Sequence, residues 1–167
     1  GNKYLLTVVD HFSRYPMAIP VKDKTQKSVV DALFRHFICV FGCPGALLSD
    51  LEKLFVSDIT VMLLKKLGIA KLNTTGYQPQ ANGCVERFHR FLNTSLMICV
   101  NDKKTDWEEY IGAILFAYRT SFCTSTGASP FELVFGRKVF LPPDIIYALD
   151  ENQMTQEQKR GILISDS

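Results

Sequence analysis

The chain reads as an α/β domain, on two observations. A β-branched apolar run, Tyr4 to Val9, is followed after a turn-rich connection by a second one, Met17 to Val21, the pattern of an antiparallel hairpin. Beyond it, from Thr25 to Leu72, helical and strand patterns alternate, as parallel crossover units require.

Each element has a local reason. Thr25 caps a helix running to about Val40, with Val29, Val30, Leu33, Phe34, Phe37 and Val40 on one side. Gly42, Pro44 and Gly45 stop it. Ala46 to Asp50 is a short buried strand. Ser57 caps a helix ending near Gly68, and Ile69 to Leu72 is a further strand. Thr74 to Gly83 reads as a loop, and a long helix begins at about Cys84 with Val85, Phe88, Leu92, Leu96 and Cys99 as its stripe. Thr105-Asp106-Trp107-Glu108 has the form of a capping box that opens a helix to roughly Thr120. Trp107 is a core or helix-start residue. Ser129-Pro130 starts a short helix that Gly136 ends. The order divides the chain into a core over residues 1–123, a helical segment over 124–147 and a polar, disordered tail over 148–167.

Composition sets limits. With 167 residues, 47% hydrophobic and 22% charged, the chain fits one globular domain with a real core. Its apolar runs are too short to cross a membrane. The net charge of +2 does not announce a nucleic-acid binder. Residues 1–90 carry 12 Lys/Arg against 7 Asp/Glu, and residues 91–167 carry 7 against 10. An electrostatic footprint for DNA therefore falls in the first half, with ordinary surface scatter as the alternative. The five cysteines form no C-x-x-C pair and read as reduced thiols acting as small apolar residues. His11, His36 and His89 are too dispersed for a metal set.

Two carboxylates carry the chemistry. Asp50 closes a predicted strand and Glu86 lies in the first turn of a predicted helix, with 35 residues between them. Acids delivered by separate elements suit a hard cation such as Mg²⁺, which takes oxygen ligands and substrate phosphates. Paired ions can activate an attacking oxygen and stabilise a leaving one. A turn-forming Asp50 and a helix-start Glu86 are the structural alternatives.

The surrounding residues decide between them. Leu5-Leu6-Thr7-Val8-Val9-Asp10-His11-Phe12-Ser13-Arg14-Tyr15, Ser49-Asp50, Tyr77-Gln78-Pro79-Gln80-Ala81-Asn82-Gly83 and Val85-Glu86-Arg87-Phe88 closely resemble the integrase core of gypsy-type retrotransposons and retroviruses. Ser129-Pro130-Phe131-Glu132-Leu133-Val134-Phe135-Gly136-Arg137 looks like the segment after that core, and the likeness covers about residues 1–147. The resemblance implies an RNase H-like mixed sheet flanked by helices. It implies an Asp-Asp-Glu triad binding Mg²⁺ or Mn²⁺, and trimming of element DNA ends followed by attack of a 3′-hydroxyl on target DNA. Asp50 and Glu86 match the second and third acids. Tyr77 and Asn82 match loop positions near the DNA end. Arg90 matches a DNA-contacting position, with a solvated surface cation as the alternative. The implied partners are element-end and target DNA and further copies of the chain, with no membrane, in a nuclear setting.

Two departures from the family pattern matter. The first catalytic Asp of such cores lies on the strand before the one ending here at Asp10, and only 39 residues separate Asp10 from Asp50. The expectation is a core whose first, central strand and first acid are missing from these residues, and which is inactive as it stands. Glu52 stands where the family has Gly, and Gln78 where His is common. The rival reading is a non-catalytic nucleic-acid-binding or protein-interaction module of the same ancestry, and the blandest is a decaying element fragment.

Overall fold

A computed structural model describes residues 1–49, 64–73, 79–100 and 105–141. Strand β1 (Tyr4–Val9) and strand β2 (Pro16–Val21) form the expected antiparallel hairpin, with Leu6 opposite Ile19 and Thr7 opposite Ala18. The turn is fixed by Asp10, whose carboxylate accepts from the Ser13 N–H at 2.7 Å and the Ser13 hydroxyl at 2.6 Å. That local engagement agrees with reading Asp10 as a hairpin residue.

Helix α1 (Gln26–Leu33) starts where Thr25 accepts from the Ser28 N–H. It runs without a break through a π-helical turn, Phe34–Ile38, into the short helix α2 (Cys39–Phe41). The wide turn shifts the register expected from a uniform period, so Phe34, Val40 and Phe41 are exposed while Ile38 is buried. Gly42, at φ 85°, ends the run in a conformation other residues avoid.

Strands β3 (Ala46–Ser49) and β4 (Ala70–Asn73) pair in parallel, Leu48 opposite Leu72, as the alternation of elements predicts. Of the helix expected between Ser57 and Gly68, residues 64–66 are described and are helical.

Helix α3 (Pro79–Cys99) starts five residues before the expected Cys84. Gly83 reads locally as a breaker, but its cost of about 1 kcal/mol in a helix is small beside tertiary burial. Pro79, at the first helical position, is the start signal. Helix α4 (Trp107–Thr120) lies beside it, but the expected capping box does not form. Asp106 is the N-cap and makes no side-chain cap bond. The Glu108 carboxylate instead receives the N–H (3.0 Å) and side-chain amide (2.8 Å) of Asn2, pinning the start of the chain to α4. Helix α5 (Pro130–Phe135) carries the full Ser129–Glu132 capping box and ends at Gly136, φ 65°. The expected tail over 148–167 lies outside the described residues.

Helices cover both faces of the hairpin. Leu5 and Val9 pack against the cluster of Phe88, Leu92, Ile111, Ile114 and Leu115 from α3 and α4, and Trp107 joins it. Leu6 and Met17 pack against Ile19, Val21 and Ala32, the last from α1. A third cluster, Ile38, Leu64 and Ile69, holds β3 and β4. The described strands thus form two separate two-stranded sheets, β1–β2 and β3–β4, and not one continuous sheet. Three of the cysteines (Cys39, Cys43, Cys99) are exposed, contrary to their expected role as small apolar residues, because each falls on the outward side of its segment. No described helix is long and apolar enough to cross a membrane.

Candidate active site

A groove of about 650 Å³ runs between the two sheets. Every residue of β1 and of β3 lines it, with Val29 and Leu33 of α1 and Val85, Glu86 and His89 of α3 among its other walls. Glu86 is exposed. It occupies the eighth position of α3 and not the expected first turn, so it gains little from the helix dipole, whose field is confined to the terminal turn.

Two contacts fix where α3 presents Glu86. Phe88 has 0% exposure and meets Tyr118 of α4 edge-on at 5.3 Å between ring centroids. His89 Nε2 lies 2.7 Å from the hydroxyl of Thr7 on β1. Burial alone keeps the helix face; the polar bond sets its position along the strand. Neither contact is visible in the sequence, although the position of His89 three residues after Glu86 marks it as a neighbour on the helix surface.

The sequence-derived site residues are only partly assembled. Asn82, Glu86 and Arg90 follow one another at four-residue steps along α3, which puts them on one helix face. Arg90 is exposed. Asp50 and Tyr77 lie outside the described residues, as do Glu52 and Gln78. Among the described residues no group of three or more His, Cys, Asp or Glu side chains could hold a metal ion. The donors expected from the sequence, two carboxylates, are nevertheless of the hard-oxygen kind that Mg²⁺ prefers.

A second structural feature lies beside the hairpin. Arg119 donates from Nε (3.0 Å) and from a terminal nitrogen (2.8 Å) to the Pro16 carbonyl. Its guanidinium also stacks 4.4 Å from the centre of the Tyr15 ring. Tyr15 further meets Phe41 at 5.7 Å and Phe135 at 6.0 Å. This is scaffold: it ties α2, α4 and α5 to the hairpin that forms one wall of the groove.

An α/β core with a carboxylate facing an inter-sheet groove defines the class, and comparison with known proteins gives the family. Residues 1–79 match the family described as integrase core domain. The chain is 32% identical over 142 residues to the Pol polyprotein of transposon 412 of Drosophila melanogaster, and 33% identical over 147 residues to the Gag-Pol polyprotein of avian reticuloendotheliosis virus. These alignments take in 85% and 87% of the chain and 12% of each polyprotein, so the chain spans about one-eighth of either relative. A chain of the simian T-cell lymphotropic virus intasome, solved in complex with the PP2A regulatory subunit B56 gamma, superposes with a TM-score of 0.69 at 21% identity, over 82% of this chain and 50% of that one. The BIV integrase catalytic core gives 0.65 at 23% identity, over 81% and 91%. The HTLV-2 core, solved with magnesium in a trimeric form, gives 0.61 at 19%, over 78% and 83%. Residues 1–79 belong to the integrase core domain family, and the fold of the chain is the RNase H-like fold of the retroviral integrase cores on which it superposes.

Proposed function

We propose that these residues serve an integrase that trims the ends of element DNA and joins the new 3′-hydroxyl to target DNA, with Asp50 and Glu86 as metal-holding acids. The observation that carries this reading is the placement of Glu86 on the wall of the groove between the sheets, on a helix anchored by Phe88 and His89. Asp50 follows directly on Ser49, the last residue of β3, at the end of a strand that lines the same groove. The two carboxylates would hold Mg²⁺ or Mn²⁺, which supplies charge stabilisation to the attacking and leaving oxygens of a phosphodiester. Asn82 and Arg90 flank Glu86 on its helix face and, with Tyr77, would position the DNA end. Arg90 would do so through phosphate, by charge.

We read the two separate sheets as a sheet without its central strand. Residues 1–167 then furnish two of the three acids and carry out no strand transfer alone. The kinship with an intasome component and with a trimeric core supports oligomeric action on paired DNA ends, and the DNA substrate supports a nuclear site of action.

The test is cleavage of element-end DNA by the longer product that contains these residues. The reading expects cleavage with Mg²⁺ and none after chelation. Cleavage that persists without divalent metal would sink it.

A further inference from the structure

The hairpin turn, the end of α4 and the facing turn of α3 bring together side chains that the integration chemistry does not use. Arg119 fastens the hairpin to α4 through the Pro16 carbonyl and the Tyr15 ring. Its neighbour Tyr118 packs edge-on against Phe88 at 5.3 Å and Phe91 at 5.1 Å. Arg87 lies four residues before Phe91 on α3, so it shares the helix face that Tyr118 meets. Arg14 comes from the hairpin turn, where its N–H donates to the Asp10 carbonyl at 2.9 Å. Burial foremost, with the Cys123 and Cys84 thiols, raises the pKa of the Tyr118 hydroxyl, while Arg87 and Arg14 act on it as cations in the opposite sense. The hydroxyl therefore stays a proton donor at neutral pH. Arg14, Arg87 and Tyr118 are not among the residues that line the groove beside Glu86.

Arg14 is unusual twice over. Its φ of 62° lies in the left-handed region that residues with a Cβ seldom adopt. One terminal guanidinium nitrogen, Nη1, is buried and has no hydrogen-bond partner. Backbone strain and a poorly hydrated charge both cost free energy, and such costs persist where they serve a site. A negative group with oxygen acceptors relieves a cation of this kind better than any neutral group.

We propose that Arg14, Arg87 and Tyr118 form a binding site for a phosphate dianion, either free or as a terminal phosphomonoester. Two guanidinium charges match its two negative charges, and the planar forks suit its oxygens. The Tyr118 hydroxyl supplies a third donor group. A carboxylate brings a single charge and two oxygens, which leaves one donor group unserved. A phosphodiester also carries a single charge, and two of its oxygens are spent on ester bonds.

The experiment titrates the longer product that contains these residues with sodium phosphate or adenosine 5′-monophosphate, and follows the thermal midpoint. Ionic strength is fixed, and divalent metal is left out so that the groove beside Glu86 takes no part. The proposal expects a saturable rise that chloride and adenosine do not give. Arg14→Gln and Arg87→Gln should each weaken the apparent affinity about tenfold or more, and Lys27→Gln should leave it unchanged. Arg87 is exposed, so its replacement keeps the test decisive even where Arg14→Gln fails to fold. A nucleotide affinity well above that of phosphate assigns the site to a nucleotide, and equal affinities assign it to the phosphate group alone. Absence of a saturable rise would overturn the proposal, as would a rise that Arg87→Gln retains in full. A stronger effect from two thymidines joined by a single phosphodiester would give these arginines to the DNA path and also overturn it. None of these outcomes depends on whether the longer product integrates DNA.

Discussion

Thr7 on β1 and His89 on α3 are 82 residues apart in the chain and 2.7 Å apart in space. Their bond fastens the helix that carries Glu86 to β1, a strand that lines the same groove. The donor depends on the imidazole tautomer, and either arrangement satisfies the pair. Replacing His89 by Ala should destabilise the fold by about 1 kcal/mol, the net worth of one such bond. Thr7→Val should then cost little more in the His89→Ala background than a methyl-for-hydroxyl exchange. Urea denaturation of the four members of the cycle measures this; additive losses would show that the bond does not couple strand and helix.

Phe88 is the most deeply buried large side chain near the site. Phe88→Ala should cost about 3–5 kcal/mol through lost burial and the cavity left behind. Because Phe88 lies two residues from Glu86, Phe88→Leu should cost less and keep the helix in place. A thermal midpoint for Phe88→Ala equal to that of the wild type would show that α3 does not depend on this anchor.

Arg119 makes two hydrogen bonds to one carbonyl and a stacked contact with Tyr15. Burial lowers its pKa from the usual arginine value, yet the group stays cationic across the accessible pH range. Lysine offers neither the planar fork nor the stacking face, so Arg119→Lys should destabilise by about 1–2 kcal/mol. Chemical denaturation checks it, and a loss as small as that of an exposed control such as Lys27→Arg would contradict the role.

The capping box of α5 gives a pH dependence of known sign. Hydrogen bonds from the Ser129 N–H and hydroxyl hold the Glu132 carboxyl below its ordinary pKa. A carboxylate depressed in the folded state contributes stability that is present above its unfolded value, and the contribution is lost as pH falls through the folded pKa. Glu132→Gln should therefore lower the thermal midpoint at neutral pH and differ little from wild type in strong acid. A gap between the two proteins that stays constant down to that acid range would refute the assignment.

Much of the fold is legible in the sequence where local chemistry decides it. The hairpin, the Thr25 cap, the stop at Gly42 and the Ser129-Pro130 start all follow from residues within a few positions of one another. Tertiary contacts govern what is not legible. Glu108 has the right spacing for a cap but serves Asn2 instead, a partner 106 residues away. Gly83 interrupts the pattern of a helix that the burial of Phe88 sustains. The π-helical turn at Phe34–Ile38 resets the exposed face of its helix, and no periodicity argument anticipates that. At the site, spacing alone puts Glu86 and Arg90 on one face, whereas Asn82, expected in the loop before the helix, belongs to that helix in the fold. The link from Glu86 to β1 runs through His89, whose partner only the fold supplies.

The role proposed for Glu86 is that of a metal-holding acid in a strand-transfer centre. Its most direct test is Mg²⁺-dependent joining of element-end DNA to target DNA by the full-length product, wild type against Glu86→Gln, at matched folding and DNA affinity. The substitution should abolish joining while leaving salt-dependent DNA binding intact. Equal joining by the two proteins would contradict it.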